Sequence, residues 1–168
     1  MTEHLEEQGP LTVELLYWMG RTLFTVQTAE RCLKGALKYA GETDWESVRR
    51  EGTATRKYTI GRLLNRLREK ATIASDFDTV LTEFLAERNA FIHAFQDQFR
   101  IRTLDDTQQA IAFLQRLERC AGVVITVLQA AIMAWSKSLL GDLTPEVESG
   151  SLVARIMPTL DDHILRKV

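Results

Sequence analysis

From Cys120 to Ser136 the chain runs for 17 residues without a charge, CAGVVITVLQAAIMAWS. So apolar a stretch belongs either in a bilayer or at the centre of a protein core. Its length sits at the bottom of the roughly 17–25 residues needed to span a membrane, and Gly122, Thr126 and Gln129 interrupt it. It also continues an amphipathic pattern that starts near Asp106 and stops before Gly141. It is therefore expected as the central helix of a bundle, with no membrane partner.

The same helical period recurs upstream. A first helix is expected from after Pro10 to about Ala40, with Gly41 as its C-cap and Leu15, Leu16, Met19, Leu23, Val26, Leu33 and Leu37 as apolar positions. Residues 42–58 read as a loop. A short helix follows over 59–70, with Ile60, Leu63, Leu64 and Leu67 on one face. A third is expected over 75–99, with Ser75 and Asp78 as a capping-box variant. After Gly141, Thr144-Pro145-Glu146 reads as an N-cap, a first-turn proline and a first-turn acid, so 142–168 is expected as a C-terminal helical extension. With only three prolines and nine glycines the chain lacks turns for a β-sandwich or barrel. The expected fold is all-α, an antiparallel bundle of four to five helices in a single domain over 1–168, with a flexible N-terminus over 1–10.

Several chemistries are excluded. Cys32 and Cys120 form neither a CxxC pair nor a disulfide framework, and read as reduced thiols in the core of a cytoplasmic protein. The opening MTEHLEEQGP is polar and acidic, unlike a secretory leader. No glycine-rich phosphate loop, G-x-S-x-G or HExxH is present, and no Glu-x-x-His pair suits a di-iron bundle. No metal and no cofactor is expected. Asp161-Asp162-His163 reads as a polar end, because neighbours on a helix diverge by about 100°. Trp18, Trp45 and Trp135 read as core or interface anchors. Net charge is −2, which speaks against a general polyanion binder. The average hides a local excess. Residues 49–70 carry eight basic against two acidic residues, a net +6, and the remainder carries 13 against 21, a net −8. Such a block is either a phosphate-binding patch or a solvated helix face with a basic loop.

Arg88 stands out on the third helix. At 100° per residue, Phe77, Leu81, Phe84, Phe91, Ile92, Phe95 and Phe99 form one apolar stripe, and Arg88 falls in its middle. A guanidinium there needs a carboxylate partner such as Glu14 or Glu30, a wet cleft, or a phosphate. His93 follows five residues later, about 140° away on a straight helix. A joint Arg/His site therefore requires a helix break near Asn89 or side chains from two protomers.

Arg88-Asn89-Ala90-Phe91-Ile92-His93 resembles the R-x(4–6)-H motif of HEPN domains, including the Asn that often follows the Arg. The segment GRLLNRLREKATIASDFDTVLTEFLAERNAFIHAF resembles the second and third helices of bacterial HEPN-like proteins, and Ala29-Glu30-Arg31-Cys32-Leu33 is compatible with the first. The resemblance implies a homodimer of helical bundles and, in catalytic members, metal-independent RNA cleavage in a cleft that the motif residues of both subunits line. Carried over, Arg88 stabilises charge on the phosphorane. His93 acts as general acid or base, imidazole being the side chain that trades protons near neutral pH. Asn89 orients the phosphate or the histidine. The basic block, through Arg56, Lys57, Arg62 and Arg66, holds the RNA backbone.

Toxin members paired with a nucleotidyltransferase antitoxin carry Tyr two residues after the His. This chain has Phe95 there, so silencing by that modification is not open to it. The expected function is a dimeric HEPN-like endoribonuclease, a toxin or phage-defence component with RNA as substrate. The alternatives are a non-catalytic HEPN-like scaffold that binds a cognate protein or a nucleotide, and an unrelated bundle carrying the motif by chance.

Overall fold

The computed structural model describes residues 3–42 and 44–140, with the side chains of residues 3–11, Ala54, Arg56 and Leu140 left out. Among the described residues the fold is all-helical, without strands. In chain order the elements are α1 (Glu3–Tyr39), α2 (Trp45–Ala54), a 3-10 turn (Thr55–Lys57), α3 (Ile60–Lys70), α4 (Ser75–Asn89), a π turn (Ala90–Ala94), α5 (Phe95–Gln98) and α6 (Leu104–Leu140). The expected extension over 142–168 and the Asp161-Asp162-His163 cluster lie outside the described residues.

α1 begins at Glu3, before Pro10, so residues expected as a flexible leader are helical. The proline removes one N–H bond, to the carbonyl four residues back, while its fixed φ is already helical. The C-terminal end agrees with expectation: Gly41 takes a positive φ of 69° and turns the chain away.

The expected loop over 42–58 holds a helix. Asp44 Oδ1 accepts the Ser47 N–H at 2.8 Å and opens α2 as an N-cap. Gly52 and the neighbouring threonines lower helix propensity here, but the cap and burial of Val48 outweigh them. α4 starts at Ser75 as expected, but that makes Ala74 its N-cap, which has no side chain to cap with, so the Ser75/Asp78 box does not form. A box does form at α6. Thr103 Oγ1 accepts from Asp106 N–H at 3.1 Å, and Asp106 Oδ2 accepts from Thr103 N–H at 2.9 Å.

The core is a seam between α1 and α6. On α1 the buried positions Leu15, Thr22, Val26, Ala29, Leu33, Ala36 and Ala40 follow a spacing of three and four, with Met19 filling the same row. On α6, Ala110, Leu114, Leu117, Ala121, Val124, Leu128 and Ala131 do the same. This is the heptad spacing of coiled coils, and its alanines let the two backbones approach. Thr22, fully buried, satisfies its hydroxyl on the Leu114 carbonyl at 3.2 Å. Leu16 and Leu23, expected with the apolar positions of α1, are instead 61% and 41% exposed.

The helices are not all antiparallel. Thr22 meets Leu114, Arg21 pairs with Glu118 at 2.6 Å, and Gly35 lies against Ile132, so α1 and α6 run in the same direction. α4 opposes α6, as the Arg116–Glu87 pair (2.5 Å) and the Cys120 Sγ–Val80 carbonyl contact (3.7 Å) show. α3 opposes α4 through Arg68–Asp78 at 2.6 Å. The expected antiparallel bundle thus fails at its longest pair. α2 and the 3-10 turn carry the chain back along the C-terminal third of α1, so α3 begins beside Glu30 and Lys34 and ends beside Gly41. α6 is long and apolar enough to cross a bilayer by length and composition, and one face of it is buried in this core.

Candidate functional site

The third expected helix breaks where the Arg/His geometry required it to. α4 ends at Asn89, and the next five residues form a π turn before α5 resumes. A π turn carries one extra residue and is often associated with functional sites. One extra residue sets everything after it back by about 100°, so the Arg88–His93 separation falls from about 140° toward 40°. Arg88, Asn89 and His93 therefore line one cleft within a single protomer. Phe91 and Phe95 hold the turn from behind, stacked edge-on at 5.7 Å, while Phe95 and Phe99 pack on Phe113 of α6. The change of phase leaves Ile92, expected in the apolar stripe, 40% exposed.

The cleft has a volume of about 460 Å³. Its far wall is Glu30 and Lys34 of α1, and its floor is Tyr58, Thr59, Ile60 and Gly61 at the start of α3. Arg88 Nε donates to Glu30 Oε1 at 2.8 Å, and Nη1 donates to Asn89 Oδ1 at 3.0 Å. Of the two expected acids, Glu30 is the partner. Nη2 has no protein acceptor among the described residues, so one edge of the fork remains for a ligand. Asn89 and His93 are exposed. Lys34 makes no ion pair among the described residues. Thr59 makes no side-chain cap bond, so the first-turn N–H groups of α3 are open at the cleft floor. Lys34 and the free Arg88 edge, with that helix start, favour an anionic guest.

The basic block does not form one surface. Arg66 pairs with Glu69 at 3.1 Å and with Glu51 at 3.8 Å. Lys70 bonds Glu42 and, at 3.1 Å, Glu51. Arg68 is held by Asp78 and Thr82, and Arg50 by Glu46 at 3.7 Å. Burial pulls the Lys70 ammonium down, but its bonds to Glu42 and Glu51 outweigh this and leave it above its ordinary value. The same Lys70 contact holds the Glu42 carboxyl below the ordinary range. Of the four expected RNA contacts, Arg66 is thus committed to carboxylates. The side chain of Arg56 lies outside the described residues, and Lys57 is exposed. Arg62 adjoins the cleft: its guanidinium stacks on Tyr58 at 4.3 Å.

A second cleft of about 390 Å³ lies at the α3–α4 corner. Its charged lining residues Arg68, Glu69, Lys70 and Asp78 are already paired. No family model, curated protein or solved structure matches the chain.

Residues that sequence reasoning missed are Lys34, Tyr58 and Thr59. The one available signal was Lys34 four residues after Glu30, on the same face of α1. Cys32 and Cys120 are partly buried free thiols. Burial raises the Cys32 thiol, and burial with Glu87 and Glu83 pushes Cys120 up to about 11, so neither is a ready nucleophile. Trp18 and Trp135 pack on the core, while Trp45 is 44% exposed and meets Tyr39 edge-on. Among the described residues no three His, Cys, Asp or Glu side chains gather as a metal site.

Proposed function

We propose that the protein is a HEPN-like, metal-independent endoribonuclease of the cytoplasm, acting as a toxin or phage-defence component. The observation that carries this reading is the π turn, which turns His93 into the same cleft as Arg88 and Asn89. The reaction is transesterification at an RNA phosphodiester. The 2′-hydroxyl loses its proton to the His93 imidazole and attacks phosphorus. The bond to the 5′ oxygen breaks, and that oxygen takes a proton from imidazolium or solvent, leaving a 2′,3′-cyclic phosphate and a 5′-hydroxyl. Arg88 Nη2 stabilises the charge that builds on the phosphorane oxygens, and Glu30 and Asn89 hold the guanidinium in place. Lys34 and the start of α3 seat a neighbouring phosphate.

The test is cleavage of structured and unstructured RNA in EDTA by the wild type and by His93→Ala. The wild type is expected to cleave and the exposed His93→Ala variant to fold normally and lose the activity. A silent wild type, or a variant that cleaves as well, rejects the reading.

One observation favours a scaffold reading instead. The Arg88 side chain is only 19% exposed and already paired with a first-helix acid, as a structural residue would be. In that case Arg88→Ala changes stability, and the cleft takes a cognate protein or nucleotide without turnover.

A further inference from the structure

We propose that α1 carries a two-fold interface for a second copy of this chain, centred on Gly20. The observation is a stripe with one leucine and one aromatic residue on each side of that glycine. Leu16 and Tyr17 stand four and three residues before it, and Leu23 and Phe24 stand three and four residues after it. All four are exposed, at 61%, 56%, 41% and 69%, and Val13 extends the stripe at 67%. The midpoint is the small residue, and a methyl group added there would meet nothing within 4 Å. The core seam of α1 lies on its other side, so no described element of the fold uses this face.

A perpendicular two-fold axis through Gly20 maps each residue onto the one equally far on the other side. Leu16 then packs on the partner's Phe24, and Tyr17 on the partner's Leu23. Such self-complementarity is what an isologous contact requires. The opposite orientation, with two α1 helices running in parallel, sets Arg31 against Arg31, because Arg31 is exposed in line with Val13. The antiparallel crossing separates these like charges. Aromatic side chains present ~150–250 Å² each and aliphatic ones less, so the stripe offers on the order of 500 Å² per copy. Two copies reach on the order of 1,000 Å², the lower bound for a specific interface. One copy alone is at the top of what a soluble monomer leaves bare.

The geometry has a consequence for the cleft. Glu30 and Lys34 lie along α1 about 15–21 Å from the axis, so the two clefts stand about 30–42 Å apart. Each cleft works with the residues of its own protomer. That differs from the shared cleft implied by the HEPN resemblance, and it does not depend on what the cleft binds.

The experiment uses the full chain in sedimentation velocity at micromolar concentrations, with cross-linking. The wild type is expected as a dimer, and Phe24→Glu and Leu16→Glu as monomers with unchanged helical circular dichroism. Under mild oxidation Gly20→Cys is expected to give a disulfide-linked dimer, since a crossing at that residue brings the two backbones within disulfide reach. Leu16→Cys alone is expected not to cross-link beyond the wild-type background, because two copies of that residue stand about 12 Å apart along the antiparallel pair. A monomeric wild type overturns the proposal, as does a dimer that survives both glutamate variants. Efficient cross-linking through Leu16→Cys overturns the antiparallel geometry.

Discussion

Deleting one residue from a packed helix turns everything beyond it by about 100° and is ordinarily ruinous. In α6, loss of Gly122 would swing Val124, Leu128 and Ala131 off the seam with α1. At ~1.5–3 kcal/mol for each large side chain, the loss approaches the ~5–15 kcal/mol that holds a domain together. The π turn predicts the opposite outcome at Ala90. There the deletion removes the extra residue, the turn relaxes to α-helix, and Phe95 keeps its bearing toward Phe113. The expected cost is within ~1 kcal/mol, a shift of a few degrees in Tm for a chain of this size. Deleting Ala94 is expected to be tolerated equally, because it also removes the extra residue. The two deletions differ at His93. Without Ala90 the histidine stands four residues from Arg88, about 40° away, and stays in the cleft; without Ala94 it returns to about 140°. RNA cleavage should survive the first deletion and fall in the second as far as in His93→Ala. Thermal melts by circular dichroism and a cleavage assay read both. If deleting Ala90 unfolds the protein as deleting Gly122 does, the turn over Ala90–Ala94 holds no extra residue. If the two alanine deletions cleave alike, His93 does not act from the cleft.

Three further outcomes follow from the same contacts. Arg88→Met should cost ~1–3 kcal/mol in urea unfolding, because it leaves the mostly buried Glu30 carboxylate without its partner; Glu30→Gln should cost less, and the double variant should show that the effects are not additive. Gly41→Ala should cost ~1–2 kcal/mol, since an L-residue is strained at a φ of 69° and its Cβ would meet the Lys70 carbonyl oxygen at 3.2 Å. Stability should hold at neutral pH and drop as pH falls below about 4. Contact with Lys70 holds Glu42 low, and backbone N–H groups hold Asp44 and Asp106 low, so each contributes above its ordinary value and loses that contribution on protonation. Lys70 has the opposite sign, its contribution being complete below the ordinary 10.5 and lost above it. A flat unfolding free energy between pH 7 and 3 contradicts the carboxylate assignments.

The helices with long apolar period were legible because burial imposes that period on the residues. α3, α4 and α6 start within two residues of expectation, and Gly41 marks the end of α1. α2 was hidden because it buries so little, chiefly Val48, and its cap is a local contact between Asp44 and Ser47. The direction of α1 against α6 was hidden for a different reason. Thr22 puts a hydroxyl in the middle of the seam, so the apolar row reads through Leu16 and Leu23 instead, onto the exposed face. Arg88 was legible as an anomaly, a cation within an apolar stripe. That Glu30 would be its partner, and that Lys34 would face it, depended on where α3 returns to α1, which no local pattern encodes.

The parallel seam sets an order in time. α1 and α6 stand at opposite ends of the described chain, and their contacts join residues 92 and 97 positions apart. At ~5–20 residues per second, α1 leaves the ribosome some 5–20 s before its principal partner exists. Through that interval Val26 and Leu33 have no α6 to cover them, while α3 and α4 can already pair through Arg68 and Asp78. Among the described residues the last long helix to be made is the one that closes the core, so a chain stalled before residue 104 presents the sticky face of α1 to chaperones and proteases.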